Sequence, residues 1–226
     1  MMRVDIKGCI VPNDDAWIYG YFGIDCCCPN DVNEHISKAN GEKLDIYINS
    51  GGGDIFAGSE IYSAIREYGG EVKIHVVGLA ASAASVIACA ASSDISPTAM
   101  VMVHNVSSMA CGDYRDHSKE SDILKKANET IANAYVAKTG MTLESALKMM
   151  DDETWLSANV AVAKGLIDKI AENQNVKLVA SYDSGMLPQS VINRMKEQRL
   201  EDFNAVFLRN QAQAKLDLEK LKGRVL

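Results

Sequence analysis

No apolar run in the 226 residues reaches the roughly 18 that a membrane-crossing helix needs, so no membrane span is expected. The opening Met1-Met2-Arg3-Val4-Asp5 carries charge where a secretion signal has its apolar core, and a cytoplasmic protein is expected. Cys-x-x-Cys pairs are missing. The six cysteines are Cys9, Cys26, Cys27, Cys28, Cys89 and Cys111. The triplet before Pro29 points its neighbouring side chains in different directions, and no nearby histidine completes a zinc tetrahedron. Reduced structural thiols are expected, with no metal and no cofactor. Positive charge is in short supply, 23 Lys and Arg against 30 Asp and Glu for a net charge of −7, which argues against a nucleic-acid surface. The Gly-x-x-x-x-Gly-Lys-Ser/Thr spacing of a phosphate-cradling loop is absent too. Internal repeats and low-complexity segments are lacking.

What is present is an ordinary globular composition, 47% hydrophobic and 23% charged, patterned as alternating strands and helices. Residues 3–12 alternate apolar and polar (Val4, Ile6, Ile10), predicting a half-buried strand ended by Pro12. Trp17 to Phe22 reads as a wet aromatic loop. Helices are predicted over residues 31–40, with His35 solvated or capping, and over residues 55–68, closed by Gly69-Gly70. Strands are predicted over residues 44–48, 72–77 and 100–103. Residues 113–138 form one long charged helix, too polar to bury much against one sheet and expected to project toward a neighbouring subunit. A short helix follows over residues 143–150. Ser157 caps a further helix that Gly165 stops before a strand over residues 166–170. This is an α/β pattern, giving a domain of residues 1–180. Ser184, Gly185 and Pro188 mark a linker over 181–188. Residues 189–226 read as a helical, amphipathic tail without a strict heptad, expected to dock on a partner or on its own oligomer.

Three stretches carry chemistry. Val72 to Val77 delivers the chain through Gly78-Leu79-Ala80-Ala81 to Ser82, at the bend into an apolar, alanine-rich helix running to about Ala91. A helix start offers unpaired N–H groups and the positive end of its dipole, so a serine there suits a nucleophile whose reaction builds an oxyanion. A small-residue packing helix capped by its serines reads equally well. Asn49-Ser50-Gly51-Gly52-Gly53-Asp54 follows a strand, and three consecutive glycines carry an entropic cost that needs a reason. The run is either a plain turn or a place where a ligand's main chain or an oxyanion approaches bare amides. His104 leaves the strand 100–103, placed for a core hydrogen bond or for catalysis. His75 and His117 stand out less.

Taken together, Asn49-Ser50-Gly51-Gly52-Gly53, Gly78-Leu79-Ala80-Ala81-Ser82, Met102-Val103-His104, and Leu156-Ser157-Ala158 with Gly165-Leu166-Ile167-Asp168 resemble the Clp protease proteolytic subunit family over roughly residues 3–172. The Ala80-Ala81-Ser82-Ala83-Ala84-Ser85 form and Glu153-Thr154-Trp155 look most like the phage and prophage branch, the Clp-like head maturation proteases. The resemblance implies a crotonase-like fold of repeated β-β-α spiral units with a projecting handle helix. It implies a serine endopeptidase assembled into homo-oligomeric rings, heptameric or stacked, that acts on capsid or scaffold protein. It makes Ser82 the nucleophile, His104 the general base, and the amides of Gly53 and Ala83 the oxyanion hole. The acid aligns with Glu153, with Asp152 as a substitute and a Ser–His dyad also open. Gly52, Asp54, Ile55, Asn105 and Val106 fall where the family clamps its substrate as an added strand. Gly51 replaces a proline, Ala83 a methionine, and residues 105–112 lack the usual Pro and Gly-Gly, so an altered cleavage preference is expected. The chain starts at the first core strand, without the segment that contacts an unfoldase, and action without an ATPase is expected. The competing readings are a crotonase-type acyl-CoA enzyme and an inactive ring or assembly scaffold of the same fold.

Overall fold

A computed structural model describes residues 2–171 and, beyond them, residue 209. By its contacts the chain divides into residues 1–173 and 174–226. The expected linker and, but for residue 209, the expected helical tail lie outside the described residues.

Alternating side chains build the central sheet. In the first strand, β1 (Met2–Ile10), Val4 and Ile6 point into the core while Arg3, Asp5 and Lys7 point away. The same alternation buries Leu44, Ile46 and Ile48 of β3 (Leu44–Gly53) and Ile74 and Val76 of β4 (Val72–Ala81). Between β1 and β3 lie α1 (Ala16–Tyr21), the two-residue β2 (Cys26–Cys27) and α2 (Pro29–Ala39). The segment read as an aromatic loop is thus a short helix, but it buries none of its residues, and Trp17 and Tyr21 stay exposed. With no apolar stripe turned inward, its sequence carries no helical period to read.

β3 runs on through Gly51-Gly52-Gly53, five residues beyond the predicted strand, and Asp54 caps α3 (Ile55–Glu67) by accepting from the Ala57 amide at 2.7 Å. β4 likewise extends to Ala81 and hands over at Ser82 to α4 (Ala83–Ala88), whose six residues are all buried. Cys89 ends this helix, earlier than the predicted Ala91. β5 (Ser92–Ile95) and β6 (Met100–Val103) both run parallel to β4, β5 along its first half and β6 along its second. The long helix α5 (Tyr114–Thr139) begins with a reciprocal cap between Asp113 and Asp116 and ends at left-handed Gly140. Its buried residues, Ala132, Ala134 and Tyr135, are confined to its last third. α6 (Leu143–Asp151) leads to β7 (Thr154–Ser157), α7 (Ala158–Ala163) and β8 (Lys169–Ile170). The strand order is β2-β1-β3-β4-β5-β8, parallel throughout, with β6 beside β4 and β7 antiparallel to β6.

Two readings near the end of the domain need correction. Residues 154–157, for which the sequence predicts no element, form a strand against β6. The strand placed at 166–170 shrinks to Lys169–Ile170, because Leu166 and Ile167 turn back to bond Ala161. All six cysteines are free thiols. Burial pushes Cys27 and Cys89 up to about 12, and Cys28 serves as the cap of α2 with Asp31. No helix among the described residues is long and apolar enough to cross a membrane.

Candidate active site

Ser82 sits between the end of β4 and the start of α4 with φ 54° and ψ −125°. A non-glycine residue in that region costs about 1–3 kcal/mol and persists only where its surroundings over-determine it. Here they do. The Ser82 amide donates to the Met102 carbonyl at 2.9 Å, and its own carbonyl receives the Ser85 amide at 2.9 Å. This strand-to-helix bend lifts the side chain out of the sheet. Its Oγ then lies 2.8 Å from Nε2 of His104, which leaves β6 one residue after Val103. β6 lies against β4 with Ala81 opposite Met102, so the two side chains meet because two neighbouring parallel strands end at the same level.

The glycine run closes in from β3. A Cβ on Gly52 would lie 2.7 Å from Ser82 Cβ and 3.0 Å from the Ala83 amide, and one on Gly53 would lie 2.1 Å from the Ile10 carbonyl oxygen. Only glycine fits at either position. Asp54 gives its amide to Ile10 at 2.8 Å. Gly53 lines a cavity beside Ser82. Ala83, first residue of α4, has an amide with no acceptor inside its helix. Gly53 and Ala83, the residues expected to supply the oxyanion donors, line the same cavity as Ser82. Ser50, 2% exposed, sets the loop: its hydroxyl donates to the Gly8 carbonyl at 2.6 Å and accepts the Gly52 amide at 3.0 Å.

The cavity measures about 70 Å³ and has an apolar floor of Ile55, Val86, Ile131 and Tyr135. Of the residues expected to hold substrate, Ile55, Asn105 and Val106 line it, whereas Gly52 and Asp54 do not. The Asp54 carboxylate is taken up by capping α3. Residues 104–112 form no strand, and the Val106 amide is held by Oδ1 of Asn128 on α5 at 2.7 Å. Asn105 gives its Nδ2 to Asp151 at 2.8 Å and leaves Oδ1 buried without a partner.

The acid is not joined to the pair. Among the described residues Nδ1 of His104 has no hydrogen-bond partner, and Glu153 and Asp152 are both exposed. Asp152 pairs with Lys148 at 3.3 Å. Glu153 adopts φ 44° in the turn before β7.

Sequence reasoning passed over several groups. Ser85 and Tyr135 are buried behind Ser82, their hydroxyls 2.7 Å apart. Burial pushes the Tyr135 phenol well above its ordinary range, partly offset by its bond to Ser85. His75, on the sheet face away from the main core, lies 2.7 Å from Asp94 and 3.1 Å from Asp45 and stacks on Tyr47. The signals existed as a serine three residues after Ser82 and a tyrosine four after Ile131, but both positions read equally well as packing.

The Clp protease family matches residues 35–174. The chain belongs to the Clp protease family. It is 35% identical over 132 residues to an ATP-dependent Clp protease proteolytic subunit of Mesostigma viride, covering 57% of this chain and 58% of that protein. The chain therefore spans little more than half the length of that relative. Among solved structures, a mutant ClpP1 from Listeria monocytogenes superposes with a TM-score of 0.62 at 25% identity, over 76% of this chain and 92% of that one. The family match begins inside α2, so β1 and its glycine-facing edge are part of the fold but precede the matched stretch.

Proposed function

We propose that the chain is a serine endopeptidase in which Ser82 is the nucleophile and His104 the general base. One observation carries this reading: Nε2 of His104 lies 2.8 Å from Oγ of a Ser82 held at positive φ, with Gly53 and Ala83 lining the cavity beside it. His104 takes the Ser82 proton as Oγ attacks a peptide carbonyl carbon. The developing oxyanion is received by the Gly53 and Ala83 amides. Loss of one such donor typically costs about 100- to 1000-fold in turnover. The C–N bond then breaks, the imidazolium gives its proton to the leaving amine, and water deprotonated by His104 releases the acyl group. The apolar floor of the cavity favours an uncharged side chain on the residue before the cleaved bond.

The finer reading is a head maturation protease of the phage and prophage type. It would act on capsid or scaffold protein from a homo-oligomeric ring and without an ATPase. It is supported by the Ala80-Ala81-Ser82-Ala83-Ala84-Ser85 form and Glu153-Thr154-Trp155. ATP-stimulated cleavage of a folded protein, or co-purification with a Clp-type ATPase, would overturn the ATPase-free part. A fluorophosphonate probe tests the chemistry. Labelling that vanishes in Ser82→Ala, and peptide cleavage lost in both Ser82→Ala and His104→Ala at unchanged oligomer mass, are the expected results. Absence of labelling in every oligomer would leave the inactive scaffold. Turnover of an acyl-CoA ester in place of a peptide would favour the crotonase-type alternative.

A further inference from the structure

Two buried hydroxyls tie the long helix to the backbone of Ser82. Ser85 on α4 and Tyr135 on α5 are each 1% exposed. Oγ of Ser85 lies 2.6 Å from the Ser82 carbonyl oxygen, an atom that can only accept, so the Ser85 proton is committed there. The Tyr135 hydroxyl, 2.7 Å from the same Oγ, must therefore be the donor to it. The relay has one direction, from the Tyr135 hydroxyl to Ser85 and from Ser85 to the Ser82 carbonyl.

That carbonyl shares a rigid peptide plane with the Ala83 amide. Whatever fixes the direction of the Ser82 C=O also fixes the direction of the Ala83 N–H, on the opposite side of the plane. We propose that Tyr135 and Ser85 are positioning residues: they orient the Ser82–Ala83 peptide, holding the oxyanion donor and the Ser82 hydroxyl in register, and so make the seating of α5 a determinant of turnover. The proposal rests on the reading of Ser82 as nucleophile. The Ser82 backbone needs such a restraint, because its positive φ is disfavoured for serine and relaxes when a constraint is removed. Tyr135 also lines the cavity beside Ser82, so the same side chain touches the substrate space and the relay.

The test uses the full chain with Tyr135→Phe, Ser85→Ala and the double variant. The measurements are kcat and KM on a fluorogenic peptide, the rate of fluorophosphonate labelling, and Tm. Each single variant should lower kcat and the labelling rate by about 3- to 10-fold, the worth of one buried hydrogen bond, with KM within about twofold of wild type. The double variant should be no worse than the poorer single one, since both break one relay. A purely structural pair would lower Tm and leave kcat unchanged in the folded protein. Wild-type kcat in folded Tyr135→Phe, or losses that multiply in the double variant, overturns the proposal alone. A wild type that the probe does not label overturns the nucleophile reading and this proposal with it.

Discussion

Of the three consecutive glycines, one is free and two are not, and Gly52→Ala against Gly51→Ala separates them. At Gly51 an added Cβ meets nothing within 4 Å. At Gly52, φ is +91° and the Cβ would lie 2.7 Å from both the Ala81 carbonyl oxygen and Ser82 Cβ, against 3.4 Å for an ordinary contact, a deficit of 0.7 Å. The obstructing atoms are backbone or are rooted in it at a bend already strained, so they have no rotamer to yield. An L-residue in a left-handed conformation costs about 1–2 kcal/mol by itself. The displacement falls on Ser82, and at the proposed nucleophile a misplacement of about 1 Å costs on the order of 100-fold in rate. Gly52→Ala should therefore lower kcat on a fluorogenic peptide by roughly 30- to 100-fold and depress Tm, whereas Gly51→Ala should stay within about twofold of wild type on both. Retention of more than about half the wild-type kcat by Gly52→Ala would refute the claim that the glycine run is shaped by its approach to Ser82.

Ser50→Ala removes the link between the Gly8 carbonyl and the Gly52 amide. It should lower kcat by about 3- to 10-fold with little change in KM, the effect of one lost buried hydrogen bond acting through the loop. Iodoacetamide at pH 8 should label exposed Cys111 and leave Cys27 and Cys89 unmodified in the folded protein, as read by peptide mass spectrometry, because burial pushes those two thiols up to about 12 and leaves almost no thiolate. The same two thiols hold their protons more tightly folded than unfolded, so the unfolded chain loses them first. Urea stability should be level below the ordinary thiol value of 9.0 and fall as pH climbs from there toward about 12. A flat alkaline limb would contradict their burial.

The parts legible in the sequence are those whose signal is local. A β-branched run into Ser82, three glycines after an alternating strand, and a histidine at a strand exit each stand in one short window, and the sheet brings the three windows together. What was not legible depends on residues far apart. The Tyr135 to Ser85 bond joins positions 50 residues apart. The Asp45, His75 and Asp94 cluster appears only once β3, β4 and β5 are placed side by side in register, with His75 opposite Asp94 and Tyr47 opposite His75. β7 has no local signature, because its four residues have no turn signal of their own, and Ser157 ends the strand and begins α7 at once. β3 and β4 run past their predicted ends for the opposite reason. Glycine and alanine carry little strand propensity, yet Gly51 to Gly53 and Gly78 to Ala81 are held extended by the strands on either side.

The same register logic bears on the acid. β6 and β7 pair Met100 with Ser157 through to Val103 with Thr154, so the next residues out are His104 on one strand and Glu153 on the other. Asp151 is occupied by Asn105 and Asp152 by Lys148, while the Glu153 side chain carries neither hydrogen bond nor ion pair among the described residues. Of the three acids, it is the one placed across from His104 and free to turn toward Nδ1. A charge-assisted hydrogen bond contributes about 1.5–3 kcal/mol, and an imidazolium formed in the transition state would feel it more than the neutral ring does in the ground state. Glu153→Ala should then lower kcat by about 10- to 100-fold with KM nearly unchanged, and Asp152→Ala should stay within about twofold. Equal, near-wild-type kcat in both variants would mean that Ser82 and His104 work as a pair without an acid, and that the positive φ at Glu153 serves only the turn into β7.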